Sequence, residues 1–465
     1  MHPTERLQGA DRPQRGLLDE LRALARLALP LISGQLTMIG MTVIDTVLAG
    51  RQGQQNLAGV EIGAATWTLA TMVIYGVLMA VPPSVAQLAG AGRREETPAV
   101  LLQGLWLALV LGLLAAAGVL HAAPLLHWVG VEASVIEAAA HFLHGIAWGG
   151  PALAIYYSMR GFCEGQGDTW PALLLGLLGL GLLLPLSAWL IFGGFGLPSM
   201  GAYGCGLATA MVLWTQALVM LGYLRWRRRH RWLAAHWRWG WPQPQALAQL
   251  LQLGSPIAFT LLMEGGLFIG VSWLMGRLGT VTVAAHQIAI NIASIAFMLP
   301  LGLAMAVTVR VGQARGSADP LALRRAGIAA LILCLLCQSF SCTVMIVGAE
   351  QLASWYAPGQ PAVIALASSL LTLAAIFQIS DGLQAVAAGA LRGLKDTRIP
   401  MLYTAIAYWG VGFPIAWWLG FVRGWGPQGL WIGFIAGLSM AALLLLTRAA
   451  AQLRNPPGLA RVSQS

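Results

Sequence analysis

Charge is scarce in this chain. Only 9% of its 465 residues are Asp, Glu, Lys or Arg, against 58% hydrophobic, and a single lysine, Lys395, stands among 27 basic residues. Soluble domains carry about 25% charged residues. The 27 basic and 17 acidic side chains are too few to coat a water-exposed protein of this length. The apolar excess also excludes a disordered chain, and no Gly-X-Y period suggests collagen. Cysteine is sparse too: Cys163, Cys205, Cys334, Cys337 and Cys342 make no disulfide or zinc pattern, so a disulfide scaffold is excluded. Cys334 and Cys337, one helical turn apart, read as small packing residues. His141 and His144 are similarly spaced but have no third ligand. No nucleophile beside a base, phosphate loop or metal cluster appears, so no enzyme, resident metal or cofactor is expected. What remains is an all-α polytopic membrane protein.

Long apolar runs are what the chain has in plenty. About 20 such residues cross the roughly 30 Å hydrocarbon core as a helix that satisfies its own backbone. Twelve candidates lie near 26–49, 57–82, 98–120, 136–158, 170–192, 200–223, 248–275, 283–308, 325–348, 362–388, 400–421 and 428–450. With the N-terminus placed in the cytoplasm, alternation puts 24 basic residues on the inner side and only Arg51, Arg277 and Arg423 on the outer side. That asymmetry predicts that both termini are cytoplasmic. It also accounts for the net charge of +10 without nucleic acid. Residues 1–25 are polar, and no cleaved signal peptide is expected.

The sequence repeats itself. Residues 28–92 match 254–318 at 18 of 65 positions with a constant offset of 226, including Pro30/Pro256, Gly50-Arg51/Gly276-Arg277 and Gln87/Gln313. At offset 228, Gly165, Asp168-Thr169 and Gly201 fall on Gly393, Asp396-Thr397 and Gly429. The expected organisation is a cytoplasmic segment 1–25, an N-lobe 26–223, an Arg/Trp-rich linker 224–246, a C-lobe 247–450 and a tail 451–465. Six spans per copy is an even number, so the lobes are parallel repeats about an axis along the membrane normal. The linker, with Trp at headgroup depth and Arg on anionic lipid, reads as interfacial, making membrane lipid a partner.

Three carboxylates fall inside predicted spans: Asp45, Glu264 and Asp381. A charge at mid-membrane costs at least ~2.5 kcal/mol, and such residues by default mark ion or substrate paths. Thr42, Thr46 and Ser33 share a helix with Asp45 and could satisfy it as a packing residue. Gln378, Ser380 and Gln384 surround Asp381 in sequence, and Gln287 and Asn291 add possible polar support in span eight. His286, at the start of that span, reads as a packing contact. The repeat partners of Asp45 and Glu264 are Val271 and Met38, so the acids were not copied for a shared structural task. No Arg or Lys is expected comparably deep. Acidic, apolar and non-basic together favour organic cations as substrates over anionic lipid-linked sugars. Pro30, on the helix of Asp45, could bend it.

Several stretches together resemble the multidrug and toxic compound extrusion (MATE) family. They are LALPLISGQLTMIGMTVIDTVLAG in the first span, CEGQGDTWPA at 163–172, AAHQIAINIASIAFMLPLGLAMAVTVRVGQ at 284–313 and ALRGLKDTRIP at 390–400. The three membrane acids resemble its bacterial NorM-type branch. The resemblance implies a V-shaped pair of six-helix lobes, working as a monomer, that exports cationic drugs or dyes against inward H⁺ or Na⁺. By position, Glu264 and Asp381 would bind the coupling ion in the C-lobe, and Asp45 would act in the N-lobe. The alternative is a dedicated single-metabolite exporter or lipid-linked flippase of the wider superfamily.

Overall fold

Apolar runs that cannot leave backbone groups unpaired in lipid must close them into helices, and the chain is built accordingly. The computed structural model describes residues 16–455 apart from 52, 129, 195, 197, 228, 229 and 237–239. The expected N-terminal segment and tail therefore lie partly outside the described residues. So do Arg6, Arg12, Arg15, Arg228, Arg229, Arg238 and Arg461.

The first half comprises α1 (Leu17–Gly50), α2 (Gln54–Leu78), α3 (Val81–Gly90), α4 (Thr97–Leu120), α5 (Ala123–Trp128), α6 (Ala133–Ala147), α7 (Gly149–Gly165), α8 (Trp170–Phe192) and α9 (Gly201–Trp226). A short α10 (Arg231–His236) lies in the linker. The second half comprises α11 (Pro244–Gly276), α12 (Thr280–Gly316), α13 (Pro320–Val347), α14 (Ala349–Tyr356), α15 (Pro361–Gly393), α16 (Arg398–Ala405), α17 (Phe413–Trp417) and α18 (Gly426–Arg454). Ile406–Gly412 and Trp418–Val422, on either side of α17, are π-helical. Pro414 cannot donate to the preceding turn, and a widened turn absorbs the missing bond.

Eleven helical segments among the described residues are long and apolar enough to cross a membrane. The remaining expected span, 136–158, is shared by α6 and α7, which meet at Trp148. Gly149 and Gly150 sit at that joint against α9 and α4, where an added Cβ would strike Leu213 and the Gly112 carbonyl. Pro151 then opens α7 without a donor. Helix α1 runs through Pro30 without interruption and begins at Leu17, so part of the expected polar segment 1–25 is helical.

The duplication is visible in the element bounds. Shifted by 226 residues, the stretch from Gln54 to Gly90 becomes Thr280–Gly316, the whole of α12. Shifted by 228, Ala133–Gly165 becomes Pro361–Gly393, the whole of α15. Gly53 and Gly279 precede α2 and α12 at φ 116° and 107°, a region only glycine enters readily. In each copy an Asp-Thr turn anchors the last helix. Asp168 accepts from the Tyr223 hydroxyl on α9 at 2.8 Å, and Asp396 accepts from Arg448 Nε on α18 at 2.7 Å.

Each lobe has its own buried core, one around Phe142, Ile146 and Phe162 and the other around Phe377, Trp431 and Phe434. A third apolar cluster joins Leu24, Ala28 and Leu31 of α1 to Leu303, Ala306 and Val307 of α12. The contacts across it are reciprocal. A Cβ on Gly76 would meet Ala258, and one on Gly302 would meet Ile32; a Cβ on Gly90 would meet Gln313, and one on Gly316 would meet Gln87. Each pair maps onto the other by the repeat offset, as in the isologous interface of a twofold dimer. These contacts gather at the end of the molecule where α1 and α11 begin and α3, α12 and α15 finish. An ion pair reinforces that end, with Arg310 Nη2 on α12 at 2.6 Å from Glu20 Oε2 on α1.

Candidate functional site

The three membrane acids occupy two different settings. Asp45, near the far end of α1, accepts hydrogen bonds from Ser187 Oγ of α8 at 3.3 Å and Thr209 Oγ1 of α9 at 3.1 Å. Its expected neighbours are engaged elsewhere: Thr42 donates to the Met38 carbonyl at 3.4 Å and Thr46 to Glu61 Oε1 at 2.8 Å. A helix crowds residues that are three and four apart, but neighbouring helices also reach in, and here they supply the partners. Asp45 thus ties three N-lobe helices together while remaining partly open.

Glu264 of α11 and Asp381 of α15 come within Coulombic reach of each other in the C-lobe. Asp381 is 3% exposed, and its Oδ1 has no hydrogen-bond partner. A buried carboxylate oxygen left this way is costly. It is the kind of atom that a proton, a small cation or water completes. Glycines 265 and 266 follow Glu264; the first faces Met72 of α2 and the second Trp409. Gly265, next to Glu264, therefore lies on the side of α11 turned toward the N-lobe.

The polar support is more committed than the sequence suggests. Gln378 donates through Nε2 to the Ala293 carbonyl at 2.6 Å and accepts from Gln338 Nε2 at 3.3 Å. Gln384 accepts from the Tyr408 hydroxyl at 2.6 Å. Ser380 pairs with Ser439 of α18 at 2.7 Å. Gln287 and Asn291 bond to each other at 3.3 Å on an exposed face of α12. His286 is a packing contact as expected, 3.1 Å from Ser272 and edge-on to Trp431. His144 Nδ1 lies 2.6 Å from the Ala140 carbonyl, and the five cysteines are free.

Several functional features carried weak signals or none in the sequence. Tyr408, fully buried within Coulombic reach of both Glu264 and Asp381, had none beyond being a phenol in an apolar span, where its hydroxyl must find a partner. The expectation that no Arg lies deep is overturned. Arg160 is 3% exposed, bonded to Glu164 Oε1 at 2.6 Å and to Gln35 Oε1 of α1 at 3.2 Å. The i,i+4 spacing of Arg160 and Glu164 was the available clue. Arg392, counted as a loop charge, lies in the last turn of α15 with Nη1 3.5 Å from Met79 Sδ of the N-lobe. Cys163, Asp168 and His230 also bring possible ligand atoms within 4.8 Å of one another. There His230 Nε2 lies 2.9 Å from Asp168 Oδ2, so the group reads as a hydrogen-bonded anchor that ties the linker to the N-lobe.

The comparisons with known proteins follow the same division. The sequence profile of the MatE family matches residues 30–190 and 256–418, one match in each lobe, at starting points 226 residues apart. A probable multidrug resistance protein NorM from Xanthomonas campestris is 45% identical over 92% of this chain and 93% of its own length. The multidrug resistance protein PmpM of Pseudomonas aeruginosa is 40% identical over 94% of this chain and 92% of its own length. The crystal structure of the eukaryotic MATE transporter AtDTX14 superimposes with a TM-score of 0.85 at 21% identity, covering 95% of this chain and 99% of that one. With duplicated lobes that meet at one end, a family profile matched in both and curated relatives aligned over nearly their whole length, this chain belongs to the MATE family.

Proposed function

We propose that the protein is a cation-coupled antiporter of the bacterial inner membrane that exports organic cations, with both termini in the cytoplasm. The observation that carries this reading is the Glu264–Asp381 pair, in which a buried carboxylate oxygen has no protein partner beside a second carboxylate. Such a site gains by taking up a cation and loses by standing empty. The names of the relatives, multidrug resistance proteins of bacteria, support cationic drugs or dyes as cargo.

Asp45 serves as the N-lobe acid and Pro30 as a point where α1 can bend. The polar pair Gln287–Asn291 lies on an exposed face that hydrocarbon would penalise, which favours a position lining the cleft. Lobes that meet at the end of the termini leave the cleft open on the other side, so this conformation faces outward. Rocking about the shared contact then exposes the site to each side in turn. A proton is favoured over Na⁺ as coupling ion, because the side-chain oxygens of Gln378 and Gln384 already accept hydrogen bonds, whereas Na⁺ needs several free oxygen ligands. Exchange of one proton for one monovalent cation draws about 1.4 kcal/mol per pH unit. A second coupling ion adds about 2.3 kcal/mol per 100 mV of membrane potential.

The test is efflux of a fluorescent organic cation from proteoliposomes under a pH gradient and a Na⁺ gradient imposed separately. Efflux under the pH gradient, lost in Asp381→Asn, supports the reading. Efflux under Na⁺ alone rejects the proton, and no efflux under either rejects antiport.

A further inference from the structure

Gln87 Nε2 donates across the lobes to the Gly393 carbonyl at 2.8 Å, and beside that contact lies a cavity of about 810 Å³. Leu88 of α3 and Val100 of α4 wall it on the N-lobe side, Leu253 of α11 and Ile399 of α16 on the C-lobe side. The repeat shows what the equivalent place in the other copy holds. Ser84 and Ala246, both in the lining, stand 226 residues from Arg310 and Glu20. There the two side chains meet as an ion pair at 2.6 Å. Here a hydroxymethyl and a methyl leave the space open. The charge of the cavity differs too. Lys395 and Arg398 line it, at positions that the repeat, at offset 228, fills with Gly167 and Trp170. Lys395 keeps the left-handed backbone of its glycine counterpart, φ 61° against 75°. A Cβ is unfavourable there, so the only lysine of the chain occupies a place where glycine fits better. Asp396, the carboxylate in the lining, is held by Arg448 Nε at 2.7 Å. The ammonium and the guanidinium thus face the cavity with no carboxylate partner among the described residues.

We propose that this cavity is a binding site for a phosphate-bearing anion with an apolar portion, held by Lys395 and Arg398. Two cations three residues apart suit a group with several acceptor oxygens and more than one negative charge. Gln249 and Gln252 of α11 add carboxamide donors, and the leucine, valine and isoleucine walls suit the apolar portion. The phosphate belongs either to a soluble molecule or to the headgroup of an anionic lipid, and the chemistry of recognition is the same. Because the walls come from both lobes, the complete site exists only while the lobes meet at this end. A ligand there favours that arrangement through its different affinity for the two. The proposal needs the lobe contact and goes beyond the antiport reading.

The experiment reads binding without transport, so its outcome is independent of antiport. In one arm, the full chain in phosphatidylcholine nanodiscs is dialysed against radiolabelled pyrophosphate. In the other, nanodiscs hold equal amounts of phosphatidylcholine and phosphatidylglycerol, and the lipid that stays on the protein is identified by native mass spectrometry. The wild type is expected to retain pyrophosphate, phosphatidylglycerol or both at least about tenfold better than Lys395→Gly/Arg398→Gln, which lacks both charged donors. Pyrophosphate alone assigns a soluble ligand, phosphatidylglycerol alone assigns a lipid, and displacement of one by the other assigns a single site open to both. Lys395→Gly takes the residue of its repeat counterpart and relieves the backbone, so it is expected to fold. Should the double variant fail to fold, Lys395→Gly alone answers the question. A second variant, Ser84→Arg/Ala246→Glu, sets the ion pair of the other copy into the cavity without changing the net charge, and should abolish retention. No retention by the wild type in either arm, or equal retention by the variant without the two cations, overturns the proposal. Undiminished retention in Ser84→Arg/Ala246→Glu overturns it as well, because the ligand then lies outside the cavity.

Discussion

At Asp381 a carboxylate is held in an apolar interior with one oxygen unpaired, and the residues around it are fixed by bonds that leave little freedom. Gln384 is held by Tyr408 at 2.6 Å and Gln378 by the Ala293 carbonyl at 2.6 Å. Tyr408→Phe removes one hydrogen bond and frees the Gln384 oxygen toward the acids. We expect a loss of about 1 kcal/mol in thermal stability and a lowered efflux rate, checked by unfolding in detergent and by initial rates in proteoliposomes. The acids were legible in the sequence because hydrocarbon makes a charged residue conspicuous. Their partners were not. Asp45 is held by Ser187 and Thr209 from two other helices, and a hydroxyl in an apolar run gives no sign of which helix it faces. Arg160 was misread because a basic residue near a span end looks the same whether it points into water or turns back into the protein.

Glycine decides how closely helices approach. Gly76 and Gly302 occupy equivalent places in the two copies, each against the opposite lobe. Gly302→Leu would push into the backbone of Ile32, and overpacking of this kind costs about 1–3 kcal/mol. Since the strain exists only when the lobes are closed, the variant should favour separated lobes. Raised solvent accessibility of a cysteine placed at Ala86, which packs against Gly312 across the contact, would show it. An accessibility equal to the unmodified protein would contradict it. Element bounds were readable where apolar runs ended in Gly-Arg or Asp-Thr. The joint at Trp148 was not, because Gly149, Gly150 and Pro151 are also common inside unbroken membrane helices.

The whole molecule is two copies of one unit joined at one end, and its net preference depends on few polar contacts. The Glu20–Arg310 pair joins the lobes at 2.6 Å, with Glu20 only 3% exposed. Arg310 keeps some exposure, so Glu20→Gln should weaken the closed contact by about 1–3 kcal/mol rather than the full cost of breaking a buried pair. A distance between spin labels on Arg93→Cys and Ser317→Cys, exposed positions just beyond α3 and α12, reads this directly. Duplication was legible at this scale, since offsets of 226 and 228 needed only the sequence. Which end is closed was not legible, because both arrangements use the same helices and differ in which small residues touch.

The account stands or falls on whether a cation gradient drives export through the C-lobe pair. The most direct measurement is efflux of a fluorescent organic cation from proteoliposomes carrying the wild type or Asp381→Asn, under a pH gradient and a Na⁺ gradient in turn. We predict efflux under the pH gradient, reduced at least about tenfold in Asp381→Asn. Equal efflux from the two proteins, or none under either gradient, would contradict it.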